Sequence, residues 1–163
     1  MRRATRQRLW LLGGAVALAL AAGWQWQRDR AGDPGSLLST PPSAISAVNL
    51  RIGHAPEEHY TLRQGHWWRT DGDATRADDG RLGELTETAA AAVLSWRPAS
   101  DFDPAKIGLM PPVAVLTLNG QALEFGETSV TGPQRYVRVG DRVALISLSY
   151  TPRAAAGQAT QAH

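Results

Sequence analysis

The sequence predicts an α+β fold: an antiparallel β-sheet with one packed amphipathic helix, preceded by a single N-terminal transmembrane helix. Three patterns predict this fold. An uncharged apolar run begins at Leu9, alternating apolar segments surround hairpin dipeptides such as Asn119-Gly120, and leucines and alanines recur every three or four residues after Asp78. The predicted regions are a basic cytoplasmic N-terminus (1–8), a transmembrane helix or signal-peptide region (9–27), a Gly/Pro/Ser linker (28–43), the α+β domain (44–150) and a disordered tail (151–163).

The N-terminal apolar run has the length of a membrane span. As a helix, Leu9–Gln27 would extend roughly 28 Å, close to the ~30 Å hydrocarbon core of a bilayer. Indole rings favour the membrane interface, and arginine side chains can reach outward past it. The predicted membrane-interface anchors are therefore Arg8, Trp10, Trp24, Trp26 and Arg28.

Arginines set the orientation predicted for this helix. Four arginines precede the apolar run, whereas Arg28 and Arg30 follow it with Asp29 between them. Because the more positive flank stays in the cytoplasm, we expect the C-terminal body across the membrane. A cleaved signal peptide is the competing interpretation, since Ala19-Leu20-Ala21 would serve as a cleavage site, but the Trp and Arg flank favours a retained anchor. Both interpretations export residues 31–163.

The charge distribution argues against a nucleic-acid partner. The first 30 residues hold six arginines and one aspartate, which leaves residues 31–163 with 11 Lys and Arg against 14 Asp and Glu. A nucleic-acid groove needs clustered cations on the folded part. The chain also has no cysteine, which excludes disulfides, a thiolate metal site, a Cys nucleophile and the acceptor of a lipoprotein.

The first half of the domain contains the pattern of a β-hairpin. The segment "AISAVNLRI" alternates apolar residues, and "HYTLR" and "HWWRT" flank Gln64-Gly65. A two-residue turn there would pair Leu62 with Trp67 and Thr61 with Trp68. We expect the face that carries Leu62 and Trp67 to be the core.

One helix is predicted between the two β regions. Asp78 and Asp79 can cap its first N–H groups and favour the positive end of its dipole. Pro98 stops the pattern, so the helix is expected to run to about Ser95. Its apolar stripe would comprise Leu82, Leu85, Ala89, Ala92, Val93 and Trp96.

Two further hairpins are predicted after the helix. Asn119-Gly120 is a strong hairpin dipeptide, and a turn there pairs Leu116 with Leu123. Gly140-Asp141 is the turn candidate between "RYVRV" and "VALISL". The second β region therefore consists of consecutive antiparallel strands.

Several weak motifs occur in an order that resembles the family of domains of unknown function called DUF4340. They are Trp67 or Trp68 after a short hairpin, Ala77-Asp78 opening a helix, Gly108-Leu109 followed by Pro111 or Pro112, Phe125-Gly126 ending a strand, and the strand Tyr136–Val139. The resemblance covers about residues 44–150. It implies a membrane-anchored protein of the bacterial envelope, associated with ABC-type transport systems like those linked to gliding motility, and it supplies no catalytic residues.

These patterns together predict a non-enzymatic accessory protein without cofactor or metal. We expect it in the bacterial inner membrane as a single-pass protein, with its N-terminus cytoplasmic and its C-terminal domain periplasmic. Its expected partners are the lipid bilayer and, as the resemblance to DUF4340 implies, the subunits of an ABC-type membrane complex. The alternative is a cell-envelope module that binds glycan or peptide through an exposed indole, for which Trp68 is the candidate contact ring.

A calcium site is not supported by the sequence. Asp71–Thr75 begins like a calcium-binding loop. The loop then has Arg76 where a glycine is needed for the sharp turn, and Leu82 where a bidentate glutamate is needed. A solvated turn is the better interpretation.

Histidines and paired acids give no stronger signal. His59 and His66 do not converge in the predicted hairpin, so a metal site lacks its ligand set. Glu57 and Glu58 are adjacent acids, and acid–base catalysis needs carboxylates that converge across a cleft. Both acids are expected to be solvated on the surface or to flank a helix.

Overall fold

The computed structural model describes residues 34–154 of the chain. The predicted cytoplasmic N-terminus, the transmembrane helix over 9–27 and residues 155–163 of the tail lie outside this range. The same holds for the interface anchors Arg8, Trp10, Trp24, Trp26 and Arg28, so the membrane helix stays a prediction. Within residues 34–154, no helix is both long and apolar enough to span a bilayer.

Within residues 34–154, nine strands form one sheet in which every neighbouring pair is antiparallel. Their order across the sheet is β4-β3-β2-β1-β6-β7-β8-β9-β5. Together with the one α-helix of the described residues, the sheet confirms the α+β prediction. The strands are β1 Ala47–Ile52, β2 Glu58–Arg63, β3 His66–Arg69, β4 Thr75–Arg76, β5 Val93–Pro98, β6 Ala114–Leu118, β7 Gln121–Thr128, β8 Gln134–Val139 and β9 Arg142–Ser147.

The three predicted hairpins are present, and the two for which a register was predicted have that register. Leu62 lies opposite Trp67 and Thr61 opposite Trp68, and Leu116 lies opposite Leu123. Both turn residues have positive φ angles in two of the hairpins, as at Asn119 (47°) and Gly120 (83°), and Gly140 has one (60°) in the third. Trp67 is buried in the core and Leu62 packs against it, which confirms the predicted core face.

The core is made by alternate residues of the strands together with one side of the helix. In β6 the burial alternates strictly, with Ala114, Leu116 and Leu118 buried. The fully buried side chains with the largest volumes are Phe125, Ile45, Leu50, Leu82, Leu116, Leu118, Leu123 and Ile146. The helix therefore packs on the sheet through Leu82 and Leu85.

The helix is shorter than its sequence pattern predicts. Helix α1 spans Asp79–Glu87, and Thr88–Ala90 forms a 3₁₀ turn. The prediction that it reaches about Ser95 is wrong, because Val93–Pro98 is strand β5, paired with β9. The carbonyls of Ala89 and Ala91 accept hydrogen bonds from the N–H groups of Leu38 and Leu37. This pairing replaces the next helical turn.

Two predicted flexible segments belong partly to the folded domain. Leu37 and Leu38, in the predicted linker, are buried in the core, so residues 35–43 are not a free linker. Pro152, in the predicted tail, is also buried. The apolar side chains stabilise these short segments on the domain, although glycine, proline and serine dominate around them.

A close backbone contact joins the connector before β6 to strand β7. The N–H of Glu127 donates to the carbonyl of Ile107 at 2.8 Å. A Cβ on Gly126 would overlap that carbonyl and lie 3.3 Å from the Leu109 side chain. Only glycine therefore fits at position 126 without a shift of the connector.

Candidate functional site

A cleft of about 760 Å³ lies beside α1. It is bounded by β2, β3, β4, the helix and the segment that follows β9. This volume is within the range of small-molecule sites, which are typically ~300–1,000 Å³. Its cationic and aromatic lining consists of Tyr60, Arg69, Arg76, Arg81, Tyr150 and Arg153.

Arg81 is held at the floor of the cleft by several partners. Its Nη1 donates to the hydroxyl of Tyr60 at 3.0 Å, and its Nη2 donates to Glu58 Oε2 at 3.2 Å. Its Cζ lies 5.8 Å from the centre of the Tyr60 ring, within cation–π distance. Nη2 also donates to the carbonyl of Arg153 at 3.3 Å. One guanidinium thus joins the helix, β2 and the segment after β9.

Glu58 is the buried acid of this cluster. It is 4% exposed and accepts a hydrogen bond from the Tyr60 hydroxyl at 2.8 Å. The expectation that Glu58 is solvated is therefore wrong. Glu58 and Tyr60 are two positions apart on β2, so the strand alternation turns both inward. Burial, followed by the hydrogen bond to Glu58, raises the pKa of Tyr60.

The start of α1 places Arg81 over Tyr60. Asp78 is the N-cap, and its Oδ1 accepts from the N–H groups of Gly80 at 2.8 Å and Arg81 at 3.2 Å. Asp79 accepts from the N–H of Trp67 at 2.7 Å and from Arg76 Nη2 at 2.8 Å. Of the two aspartates predicted to begin the helix, Asp78 therefore caps it and Asp79 docks it on β3 and β4.

A second ion pair fixes Arg69 on the wall of the cleft. Its Nε donates to Asp71 Oδ2 at 3.0 Å, and this hydrogen bond raises the pKa of Arg69. Burial would raise the pKa of Asp71, but hydrogen bonds from His59 and Arg69 outweigh it and lower that pKa. The aspartate that opens the calcium-like sequence is thus bound by His59 and Arg69.

Two charged groups of the lining keep their side chains available. Among residues 34–154, the guanidinium of Arg153 and the carboxylate of Glu84 make no hydrogen bond or ion pair. Arg69, Arg76 and Arg81 are paired with Asp71, Asp79 and Glu58. The cleft can therefore offer one free cation and one free anion to a polar ligand, on a wall of fixed arginines.

The candidate contact ring Trp68 lies outside the lining of this cleft. It is half-buried on β3, between its cross-strand neighbours Thr61 and Arg76. His66 lies opposite Arg63 and His59 opposite Asn49, so these two histidines do not pair with each other. In the part of the chain that the structure describes, no three His, Asp or Glu residues gather as a metal site would require.

Compared with known proteins, the chain matches no family model, no curated protein and no solved structure. The resemblance to DUF4340 therefore stays a prediction.

Sequence reasoning missed the cluster of Glu58, Tyr60 and Arg81. The alternation of "EHYTLR" could have indicated that Glu58 shares a face with Tyr60 and Leu62. The partner of Glu58 could not be found in this way. Arg81 lies on a different element, and only the docking of α1 on the sheet brings it near.

Proposed function

We propose that this protein is a non-enzymatic, membrane-anchored accessory protein whose exported, periplasmic domain binds a partner, as an auxiliary component of an ABC-type membrane transport system. The anchor is supported by the apolar run Leu9–Gln27 and its Arg and Trp flanks. The transport class is supported by the resemblance to DUF4340. The binding role is supported by the cleft beside α1.

The observation that carries the binding role is the fixed charge pattern of the cleft. Arg69, Arg76 and Arg81 are each held by a carboxylate, so their orientation costs little further entropy when a partner binds. Arg153 and Glu84 supply the groups that can form new ion pairs. A protruding polar segment of a membrane subunit fits these features.

Copurification tests this proposal. The tagged full-length protein is expressed in its native membrane and extracted in a gentle detergent. Transporter subunits should copurify with the unaltered protein and be lost with Arg153→Glu, which reverses the free cation of the cleft. Arg63→Glu is the matched control, because Arg63 is exposed on β2 and does not line the cleft.

Two results would count against this proposal, the first against the accessory role and the second against the cleft as its contact surface. One is a protein that leaves the membrane alone under every gentle extraction. The other is a transporter complex that is lost equally with Arg153→Glu and Arg63→Glu, since that would place the contact elsewhere.

The second candidate function is a cell-envelope module that binds glycan or peptide. The partly exposed ring of Trp68 favours it, since indole faces stack on sugars and peptide groups. Titration of the full-length protein with soluble wall fragments should then change its tryptophan fluorescence, and Trp68→Phe should reduce the change. A flat titration would count against this candidate.

A further inference from the structure

The exposed large apolar side chains of the described residues lie at one end of the sheet. They are Leu94 (54% exposed), Met110 (68%), Val113 (40%) and Val130 (99%). A single such residue on a surface needs no explanation. Their common position in the sheet topology is the observation that carries the inference, and we call these four residues the apolar rim.

The strand registers place the rim at one end of the sheet. Ile52 at the end of β1 lies opposite Ala114 at the start of β6, and Ala114 lies opposite Phe125 near the end of β7. The end of β7 leads to the start of β8, which pairs with the end of β9, which pairs with the start of β5. Met110 and Val113 precede β6, Val130 joins β7 to β8, and Leu94 is the second residue of β5.

The chain enters the domain at this same end. The N–H of Val93 donates to the carbonyl of Gly35 at 2.9 Å, which fixes Gly35 beside the start of β5. Residues 28–34 alone separate Gly35 from the apolar run that ends at Gln27. Even fully extended, seven residues reach at most about 25 Å. A chain anchored through that run cannot hold this end of the sheet far from the bilayer.

We propose that the apolar rim rests in the interfacial layer of the lipid bilayer. This inference rests on the membrane anchor of the proposed function. The transfer of apolar side chains from water into the acyl boundary is energetically favourable. Asp71 and Asp73 lie at the same end but beyond β3, on the other side of the sheet order. In this arrangement, the half of the sheet from β6 to β5 contacts the bilayer. The turn that carries Asp71 and Asp73 is tilted away from the bilayer.

The absence of cysteine makes a direct depth measurement simple. Met110→Cys and Val130→Cys are made in the full-length protein, labelled with an environment-sensitive fluorophore and reconstituted in nanodiscs. The control is Gln121→Cys, because Gln121 is exposed at the opposite end of the sheet, beside the Asn119-Gly120 turn. Nitroxide-bearing lipids then quench those labels that lie in the interface.

The proposal expects quenching at positions 110 and 130 to exceed that at 121 by at least about twofold, since interfacial segments lie ~5–10 Å into the headgroup and acyl boundary. Met110→Asp in the Val130→Cys background should reduce the quenching at 130. Equal quenching at all three positions in an integrated protein overturns the rim contact and leaves the anchor intact. A protein released by alkaline carbonate overturns both. A blue shift in native membranes without lipid quenching assigns the rim to a protein partner and overturns the lipid contact.

Discussion

Asp79 accepts a hydrogen bond from the backbone N–H of Trp67 at 2.7 Å, which ties the first residue of α1 to β3. Asp79→Ala removes this acceptor and the partner of Arg76. We expect a lower urea midpoint with an unchanged m-value, because the helix loses its docking contact while the fold is retained. Asp73→Ala is the control, since Asp73 is exposed in the neighbouring turn and makes no hydrogen bond within residues 34–154. Equal midpoints for the two variants would contradict the docking role.

Asp79 should also contribute to the stability of the protein at acid pH. The N–H of Trp67, then Arg76 and His66, hold the pKa of Asp79 well below its usual range. A lowered pKa gives a stabilisation that is fully present above about pH 4, the pKa of the unfolded chain, and is lost as the pH falls toward the folded value. When the urea midpoint is measured as a function of pH, Asp79→Asn should therefore reduce the fall of the midpoint at acid pH. An unchanged fall would show that other groups control it.

The Arg81–Glu58 pair should show strong coupling. Arg81→Met leaves the Glu58 carboxylate buried without its cation, which costs about 3–5 kcal/mol in comparable pairs. Glu58→Gln in the Arg81→Met background should recover part of this loss, because no uncompensated charge remains. Chemical denaturation of the single and double variants gives the coupling energy. Strictly additive losses would argue against a direct pair.

The contact of Gly126 with Ile107 makes a steric prediction. Gly126→Ala should destabilise the protein by about 3 kcal/mol, since the new methyl group meets a backbone carbonyl that is itself hydrogen-bonded. Gly83→Ala is the matched control, because Gly83 lies within α1 with open space around it. That control should stabilise the protein by about 0.5–1 kcal/mol. Thermal unfolding of both variants distinguishes the two effects.

The ionisation of Tyr60 should destabilise the protein at alkaline pH. Its raised pKa gives a stabilisation that is present below the pKa of an unfolded tyrosine and is lost as the pH rises through the folded value. Absorbance titration of the three tyrosines should show one that ionises late. Tyr60→Phe should remove this late component, and its survival in that variant would assign the component to another ring.

Local signals predicted the hairpins because their determinants are adjacent in sequence. Asn119-Gly120 adopts the positive φ angles that a tight turn needs, and the alternation then sets the register. The Asn119 side chain does more than its turn propensity indicates. It accepts from the N–H groups of Ser46 and Ala47 at 3.0 Å each, and it donates to the carbonyl of Ala44 at 2.9 Å. The partners are 72 to 75 residues apart in the sequence, so no local pattern predicts these contacts.

The helix boundary was mispredicted because two periodicities overlap. Leu82 and Leu85 belong to the true stripe of α1, and Val93 and Trp96 happen to continue its spacing. Pairing with β9 decides that Val93–Pro98 is a strand, and the Arg142 guanidinium lies 4.1 Å from the centre of the Trp96 ring. A partner that lies about fifty residues away in the chain thus overrides local helical propensity.

The resemblance motifs acquire a physical meaning in the structure. Gly108-Leu109 and Phe125-Gly126, weak as separate patterns, are in contact where the connector crosses β7. A Cβ on Gly108 would lie 2.8 Å from the backbone nitrogen of Glu127. Gly108 and Gly126 therefore both allow the same close approach of the connector to β7. In the sequence alone they are two unrelated motifs.

The position of β1 has a consequence for biogenesis. β1 lies between β2 and β6, so a nascent chain that ends before β6 carries a strand whose second edge has no partner. Unpaired edges recruit other strands, and pairing of distant segments is slow. Until β6 has formed, the uncovered edge of β1 can therefore recruit strands of other chains, so aggregation is a hazard while the domain is incomplete.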